Sequence, residues 1–325
     1  MDLEEKIAIF KQVGEEIITE QDLKDLLSTK DTYIAYDGFE PSGRLHLPQA
    51  VMRAININRL TSCGVKFRMF VADWHAWAND KLGGDLEKIQ TVEKYFIEVW
   101  KASGLDMKNV EFYWASDFAK DDEYWKLVMQ IARNNTVARI IRCSQIMGRE
   151  ESETLNASQI FYPCMQCADI FWLKADICQL GMDQRKVNVL AREIAPKLGF
   201  GKPVAVHHHM LAGLQEPPVI NGSAAERAIA GKVSKSEPDT AIFVEDSKED
   251  LKRKLRKAYC PEGITHPNSV LEYFKYIICP KFEIIEVSRP EKFGGDLAIQ
   301  KYSELERLFT EKKLHPLDLK NTAVY

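Results

Sequence analysis

The sequence contains no long hydrophobic run. None of its apolar segments approaches the roughly 18–20 residues that a membrane-spanning helix needs. The first six residues, MDLEEK, are too acidic for an organelle transit peptide and too polar for a secretory signal. The seven cysteines are odd in number and scattered, which favours reduced thiols over a disulfide framework. We therefore expect a globular cytoplasmic protein.

An excess of positive charge is also missing. Lysine and arginine together number 44 against 48 acidic residues, so the net charge is −4. The overall field mildly repels nucleic acid, and any contact with RNA must come from local basic patches. With 325 residues, 45% of them hydrophobic, the chain can build one large core and a smaller second domain.

Short apolar strand patterns alternate with helical patterns over the first 210 residues. Strand candidates are residues 32–36, 65–72, 110–114, 176–180 and 204–207, and helix candidates are residues 48–60, 86–102, 121–145 and 157–173, the last interrupted by Pro163. The first thirty residues look helical, with Thr19 as a cap. This βαβ series predicts an α/β fold with a Rossmann-like, doubly wound parallel sheet, whose ligands bind at the carboxyl ends of the strands.

The pattern changes after residue 236. Residues 247–258 form a charged amphipathic helix pattern, and further helical patterns surround residues 271–278 and 303–310. We predict a catalytic domain over residues 1–238, with a helical insertion at about 118–160, and a smaller α-helical domain over residues 239–325.

Two segments almost two hundred residues apart predict a nucleotide site. Residues 36–46 (YDGFEPSGRLH) place a glycine- and serine-rich turn and His46 where a strand passes into a helix. Residues 232–236 (KVSKS) are a short cationic segment with two hydroxyls. The first segment would hold the base and ribose of a nucleotide, and the second would bring its lysines to the phosphates. Taken alone, the second segment could also be an exposed basic loop.

These segments, together with residues 162–169 (YPCMQCAD) and 181–186 (GMDQRK), occur in an order that resembles a class I tyrosyl-tRNA synthetase of the archaeal and eukaryotic type. Residues 257–261, 289–295 and 315–321 extend the likeness along the chain. The resemblance implies ATP-dependent activation of L-tyrosine to tyrosyl-adenylate, transfer to tRNA(Tyr), Mg²⁺ accompanying ATP, no tightly bound metal or organic cofactor, a homodimer, and an anticodon-binding role for residues 239–325.

The resemblance assigns the ATP site residue by residue. His46 and Gln49 would stabilise the reacting phosphate, and Lys232 and Lys235 would act as point charges on the β- and γ-phosphates. The remaining ATP-binding residues are Gly38, Ser42, Gly43, Ser234 and Ser236. Two features depart from the family pattern: residues 46–49 read HLPQ where the family reads HIGH, and residues 215–231 form a longer segment before the lysines. The resemblance also implies that the last helix continues beyond Tyr325.

The resemblance places Tyr36 and Asp169 at the substrate phenol, where a carboxylate accepts the hydroxyl proton and a tyrosine gives a second hydrogen bond. Tyr162, Gln166 and Asp169 fall at i, i+4 and i+7, so one helix face presents all three. On spacing alone, Tyr162 could be a core residue and Gln166 a solvent-facing one. Gln184 and Glu40 would complete the pocket around the α-ammonium group.

For tRNA, the resemblance places Arg142 and Arg185 near the first base pair of the acceptor stem. His315 and Asp318 would lie near the first anticodon base, where a carboxylate can accept from a base amino group. Each of these two could equally be a helix cap.

Two alternatives stay open. A tryptophanyl-tRNA synthetase shares the architecture, although the pairing of Tyr36 with Asp169 argues against it. A catalytically silent RNA-binding relative is the second, motivated by Pro48. Cys164 and Cys167 have the spacing of a zinc or redox pair, but no second pair accompanies them, and core packing is favoured. The three consecutive histidines at 207–209 are not predicted to bind metal.

Overall fold

The computed structural model of the chain describes residues 1–147, 154–218 and 238–325. The predicted cationic segment therefore lies outside the described residues, and Lys232, Ser234, Lys235 and Ser236 lie outside them with it. Residues 219–231 of the longer segment that precedes the lysines lie outside them as well. Among the described helices, none is long and apolar enough to cross a membrane.

The chain divides into two compact units. The first contains Met1–Gly43 and Asn56–His209, and the second contains Arg44–Ile55 and Met210–Tyr325. The predicted domain boundary after residue 238 falls within the second unit. The assignment of catalytic and anticodon-binding domains stays a prediction.

The first unit is built on a six-stranded, mostly parallel sheet. Its strands, in the order β1-β6-β5-β2-β3-β4 across the sheet, are β1 (Glu16–Ile18), β2 (Tyr33–Phe39), β3 (Val65–Val71), β4 (Val110–Trp114), β5 (Ile177–Cys178) and β6 (Val204–His207). All neighbouring pairs are parallel except β1 with β6. The predicted parallel sheet is confirmed, and the antiparallel edge strand β1 interrupts a segment for which the sequence predicts only helix.

In the described part of the chain, ten α-helices lie wholly or partly within this unit. They are α1 (Leu3–Val13), α2 (Glu20–Thr29), α3 (Arg53–Thr61), α4 (Asp73–Ala78), α5 (Leu86–Ala102), α6 (Ala115–Phe118), α7 (Asp122–Arg133), α8 (Val137–Cys143), α9 (Ala157–Trp172) and α10 (Arg185–Ile194). Thr19 caps α2 as predicted, accepting from the backbone N–H of Asp22. The helix predicted over residues 121–145 is instead two helices, because Thr136 caps a new one by accepting from Arg139 N.

The central helix of the site is α9. Asn156 and Gln159 form a capping box at its start, which satisfies backbone N–H groups that the helix leaves unpaired. The helix continues through Pro163, so the interruption predicted there is absent. Eleven of its sixteen residues are buried, as expected of a helix that packs against neighbours on most sides. Polar side chains on α9 are therefore held in a dry, closely packed environment.

The second unit is mainly helical. A π-helical turn (Pro48–Met52) leads into α3, and the later helices are α11 (Lys248–Lys257), α12 (Ser269–Tyr273), α13 (Cys279–Lys281), α14 (Tyr302–Thr310) and α15 (Pro316–Thr322). The sequence did not predict a two-stranded antiparallel sheet formed by β7 (Ile285–Val287) and β8 (Leu297–Ile299). Leucine, isoleucine and phenylalanine side chains from these elements share one hydrophobic core.

Glu93 occupies a core position on α5. Ile89 and Phe96 are its neighbours on the buried face of the helix, and Glu93 itself is buried. Neither carboxyl oxygen makes a hydrogen bond to another described residue. Burial, together with the nearby charge of Asp73, raises the pKa of Glu93 to about 10. The carboxyl is therefore protonated at neutral pH.

We expect Glu93→Gln to stabilise the protein at alkaline pH. Because the folded pKa lies above the unfolded value near 4.3, the contribution of Glu93 to stability is complete below that value and is lost as pH rises towards 10. Glutamine stays neutral at every pH. The free energy of unfolding of the Glu93→Gln protein should therefore exceed that of the wild-type protein by about 2–4 kcal/mol at pH 8, and by under about 1 kcal/mol near pH 4.5. Urea unfolding at both pH values measures this. Glu98→Gln, on the exposed side of α5, is the control, and a pH-independent difference would contradict the interpretation.

Candidate active site

The predicted site lies where the carboxyl ends of parallel strands meet α9. Tyr36 lies within β2, and Glu40 follows its last residue. Helix α4, which carries His75, begins two residues after β3 ends. Ligands of doubly wound sheets bind at this edge, and the polar cluster around Asp169 described next belongs entirely to the first unit.

Asp169 is the centre of a buried polar cluster. It is fully buried in the last turn of α9. The hydroxyl of Tyr124, on α7, donates to its Oδ1 at 2.8 Å. The imidazole Nε2 of His75 lies 3.0 Å from its Oδ2, and Oδ2 makes no directed hydrogen bond to any residue in the described part of the chain. A buried carboxylate is costly unless it is paired, so this oxygen is suited to receive a donor from a ligand.

Tyr36 presents a second buried group to the same place. Its side chain is fully buried, and its hydroxyl makes no hydrogen bond within residues 1–147, 154–218 and 238–325. Burial and the charge of Asp169 raise the pKa of the Tyr36 hydroxyl well above its ordinary value, so it remains a donor at neutral pH. Tyr36 and Asp169 thus bring an unsatisfied hydroxyl and an unsatisfied carboxylate oxygen together.

Tyr162 and Glu40 form the adjoining part of the cluster. The Tyr162 ring meets the His75 ring edge to face, with centroids 5.0 Å apart. Burial and the charge of Glu40 raise the pKa of Tyr162 well above its ordinary value. Glu40 accepts from Asn79 Nδ2 at 2.9 Å and lies 3.5 Å from Lys81 Nζ. Glu40 is therefore an anchored carboxylate beside the buried tyrosine.

Gln166 and Gln184 are joined directly. Gln166 Nε2 donates to Gln184 Oε1 at 3.0 Å, and Gln184 Nε2 donates to the Ile146 carbonyl at 3.0 Å. Gln166 is buried, so the alternative that it faces solvent is wrong. These two bonds orient both amides, because each amide nitrogen has a defined acceptor.

Three residues of this cluster were missed from the sequence: His75, Asn79 and Tyr124. His75 lies in the short helix α4 directly after β3, and Asn79 is its C-cap. Polar residues that follow the carboxyl end of a predicted strand indicate a ligand site in this fold class, so both residues could have been predicted. Tyr124 gave no such signal. It lies on an amphipathic helix, and its hydroxyl reaches Asp169 only because α7 packs on α9.

The predicted ATP residues are only partly described. Gly43 has φ of +107°, and no heavy atom lies within 4 Å of a Cβ added there. Glycine is therefore favoured at this position by the backbone conformation, and there is room for a side chain. An added Cβ at Gly38 would meet the Phe70 ring at 3.4 Å. Ser42 belongs to the same turn, and the lysines and their two serines lie outside the described residues.

His46, in the second unit, is held by backbone interactions. It forms an antiparallel bridge with Phe243, with Leu47 N donating to Ile242 O at 2.8 Å. The backbone N–H of Gln49 donates to His46 Nδ1 at 3.3 Å. An accepting Nδ1 carries no hydrogen, so the neutral ring has its hydrogen on Nε2. His46 therefore offers an N–H donor.

The predicted tRNA residues occupy different settings. Arg142 is exposed at the end of α8. Arg185 Nε contacts both carboxylate oxygens of Glu16, at 3.0 and 2.9 Å. His315 and Asp318 form a capping box at the start of α15, which was the structural alternative for both. Capping does not test a role in RNA binding, so the four assignments stay predictions.

The cysteine pair and the histidines at 207–209, which the sequence does not predict to bind metal, contact other protein side chains. Cys164 and Cys167 are buried in the core, and burial raises the pKa of both thiols. His207 Nδ1 lies 2.8 Å from Glu16 Oε2, and His208 Nδ1 lies 3.1 Å from Gln179 Nε2. Core packing of the cysteine pair is confirmed.

Comparison with known proteins decides the family. The profile of the family described as tRNA synthetases class I (W and Y) matches residues 28–324. The chain belongs to this family. The Arabidopsis thaliana protein named Tyrosine--tRNA ligase 1, cytoplasmic, is 49% identical to this synthetase over 322 residues, which are 98% of this chain and 80% of that protein. The resemblance inferred from the signature segments is confirmed.

Solved structures agree. The tyrosyl-tRNA synthetase of Pyrococcus horikoshii, complexed with L-tyrosine, matches with a TM-score of 0.90 and 42% identity, over 100% of this chain and 93% of that one. The Leishmania major tyrosyl-tRNA synthetase in complex with tyrosinol matches with a TM-score of 0.89 and 43% identity. That match covers 100% of the present chain and 48% of the Leishmania chain, so the present chain spans about half the length of that protein. The predicted synthetase fold is confirmed.

Proposed function

We propose that this synthetase activates L-tyrosine with ATP to tyrosyl-adenylate and transfers the tyrosyl group to tRNA(Tyr). The observation that carries the proposal is the pair formed by the Tyr36 hydroxyl and Asp169 Oδ2, both buried and both without a hydrogen bond among the described residues. A phenol supplies what this pair lacks, since its O–H donates to the carboxylate and its oxygen accepts from Tyr36. An indole N–H can donate but cannot accept, which disfavours tryptophan.

The other polar groups of the cluster suit the amino-acid end of tyrosine. Gln166 and Gln184 are oriented by their mutual hydrogen bond, and Tyr162 and Glu40 stand beside them. Amide and phenol oxygens accept from an ammonium group, and the Glu40 carboxylate adds complementary charge. We assign Tyr162, Gln166, Gln184 and Glu40 to the α-ammonium group.

Activation is attack of the tyrosine carboxylate on the α-phosphate of ATP, which breaks the bond to the β-phosphate and expels pyrophosphate. The nucleophile is already ionised, so the protein's task is positioning and charge stabilisation. The His46 Nε2–H is assigned to phosphate oxygen, and Gly38, Ser42 and Gly43 to the approach of the nucleotide. The Gln49 amide is assigned, with His46, to phosphate oxygen.

Lys232 and Lys235 are assigned to the β- and γ-phosphates with the hydroxyls of Ser234 and Ser236. Their place along the chain supports this assignment. The carbonyl of Ile242 accepts from the backbone N–H of Leu47, the residue after His46. Ile242 follows Ser236 by six residues, so the two residues are at most about 20 Å apart along the chain. Lys254 Nζ donates to Ala241 O at 2.8 Å and to Asp246 Oδ2 at 2.6 Å, which anchors the chain at that end.

Mg²⁺ is proposed to arrive with ATP as part of the substrate. The described residues contain no group of three or more histidine, cysteine or acidic side chains able to hold a metal ion. The charge of Mg²⁺ is assigned to the triphosphate, where it would help to neutralise the leaving pyrophosphate.

The tRNA assignments follow the same proposal. Arg142 and Arg185 are assigned to the acceptor stem, and the contact of Arg185 with Glu16 holds the guanidinium in one orientation. His315 and Asp318 are assigned to the anticodon within residues 239–325. We further propose that two copies form a homodimer and that the protein acts in the cytoplasm, like its Arabidopsis relative named cytoplasmic.

Amino-acid-dependent ATP–pyrophosphate exchange tests the proposal. We expect exchange with tyrosine, and exchange with phenylalanine or tryptophan lower by at least about 10³-fold. Phenylalanine leaves the buried Tyr36 and Asp169 groups without a partner, and tryptophan, whose indole N–H cannot accept, leaves the Tyr36 hydroxyl without one. Exchange driven by tryptophan would move the assignment to the sister specificity. Folded protein without exchange would favour a silent RNA-binding relative. Charging of tRNA(Tyr) transcript then tests the second step.

A further inference from the structure

We propose that Tyr124 is a positioning residue that fixes the Asp169 carboxylate and thereby sets the discrimination between tyrosine and phenylalanine. The inference rests on the proposed function, because it assumes that Asp169 receives the substrate phenol. Tyr124 acts through Asp169.

The two carboxylate oxygens of Asp169 have different partners. The Tyr124 hydroxyl donates to Oδ1 at 2.8 Å, whereas Oδ2 faces the His75 imidazole at 3.0 Å without a directed hydrogen bond within the described structure. An aspartate carboxylate turns easily about its last torsion, since that torsion is broad. The bond from Tyr124 removes this freedom and leaves Oδ2 as the oxygen for an incoming donor.

Tyr124 is itself rigid. It is almost completely buried, and its ring packs against Trp125, Trp172 and Phe118 with centroid distances of 5.6, 5.7 and 5.9 Å. A ring enclosed by three aromatic neighbours cannot swing, so the hydroxyl direction is set by packing. Burial and the charge of Asp169 raise the pKa of Tyr124 well above its ordinary value, which keeps the hydroxyl protonated and donating.

Selectivity for a phenol depends on that fixed geometry. Phenylalanine pays a penalty only if the Asp169 oxygen and the Tyr36 hydroxyl stay buried and unpaired beside its ring. A carboxylate that can rotate would find other donors, which reduces the penalty for phenylalanine and weakens the bond to tyrosine. Removing the Tyr124 hydroxyl should therefore change the ratio between the two amino acids, which general loosening of the core does not.

Tyr124→Phe tests the inference in the full chain, measured by ATP–pyrophosphate exchange with tyrosine and with phenylalanine. We expect kcat/KM for tyrosine to fall about tenfold to a hundredfold, mainly through KM, with the tyrosine-to-phenylalanine ratio falling by a similar factor. The KM for ATP should stay within about twofold. Calorimetric titration with L-tyrosine gives the same loss as a change in Kd, independently of turnover.

Tyr33→Phe is the matched control. Tyr33 is also fully buried in the first unit, and its hydroxyl donates to Leu27 O at 3.1 Å, away from Asp169. Both variants lose the hydrogen bonding of a buried hydroxyl, and in Tyr33→Phe this includes the bond that the hydroxyl accepts from Lys6 Nζ at 3.1 Å. Both melting temperatures should therefore fall, whereas only Tyr124→Phe should change the ratio. Assays run well below both melting temperatures keep the variants folded.

An unchanged ratio in Tyr124→Phe, or an equal change in Tyr33→Phe, would overturn the inference while leaving the proposed function intact. Wild-type protein that melts cooperatively but neither exchanges nor binds tyrosine would overturn both.

Discussion

We expect Asp169→Asn to lose tyrosine-dependent ATP–pyrophosphate exchange by on the order of 10³-fold in kcat/KM while the protein stays folded. Asparagine has the shape of aspartate, so Tyr124 can still donate to Oδ1. With the asparagine oxygen held by Tyr124, the position of Oδ2 becomes an amide nitrogen, which cannot accept from a phenol. In the flipped orientation that position becomes a neutral oxygen, which accepts weakly, and Tyr124 faces the amide nitrogen instead. The loss combines a missing charge-assisted hydrogen bond with an unpaired substrate hydroxyl.

The same substitution should not destabilise the protein. Asp169 is a fully buried carboxylate, and a neutral amide is cheaper to bury. We expect the free energy of unfolding of Asp169→Asn to equal or exceed the wild-type value, measured by urea unfolding alongside exchange. Asp176→Asn is the control: Asp176 accepts from Ile34 N at 3.0 Å and pairs with Lys30, away from the site. Activity within tenfold of wild type in Asp169→Asn would rule out Asp169 as the phenol acceptor.

Helical spacing was enough to predict which α9 side chains share a face. Tyr162, Gln166 and Asp169 do lie together, because they are one turn apart on a continuous helix. The strands β4 and β6 and the helix α5 have the predicted bounds. Their apolar patterns are strong and their ends are marked by turn residues or caps, so local information determines them.

The partners of Asp169 could not be predicted in the same way. Tyr124 and His75 reach it from different helices, and nothing in the sequence near either residue indicates that contact. The short strands β1, β7 and β8 were missed for a related reason. Each has three residues, too few for a periodic pattern, and their pairing is decided by tertiary packing.

The second large effect is expected at His46. In His46→Asn, the side-chain oxygen can replace Nδ1 as acceptor for the Gln49 N–H, but the variant lacks a donor at the position of Nε2. We expect the kcat for exchange to fall about 10²–10³-fold, with the Kd for tyrosine unchanged, because the phenol and ammonium groups bind elsewhere. Steady-state exchange and calorimetry measure the two quantities, with His266→Ala as an exposed control.

His46→Gln separates the two roles of this side chain. Its amide nitrogen reaches nearer to the position of Nε2, so it should recover part of kcat, although it caps the first helical turn less well than asparagine. If His46 serves only as a cap, the order reverses: asparagine would be fully active and glutamine impaired. Because residues 46–49 read HLPQ, His46 is the one imidazole in this segment. A large loss in His46→Asn would therefore show that a single imidazole here is enough to support the chemistry.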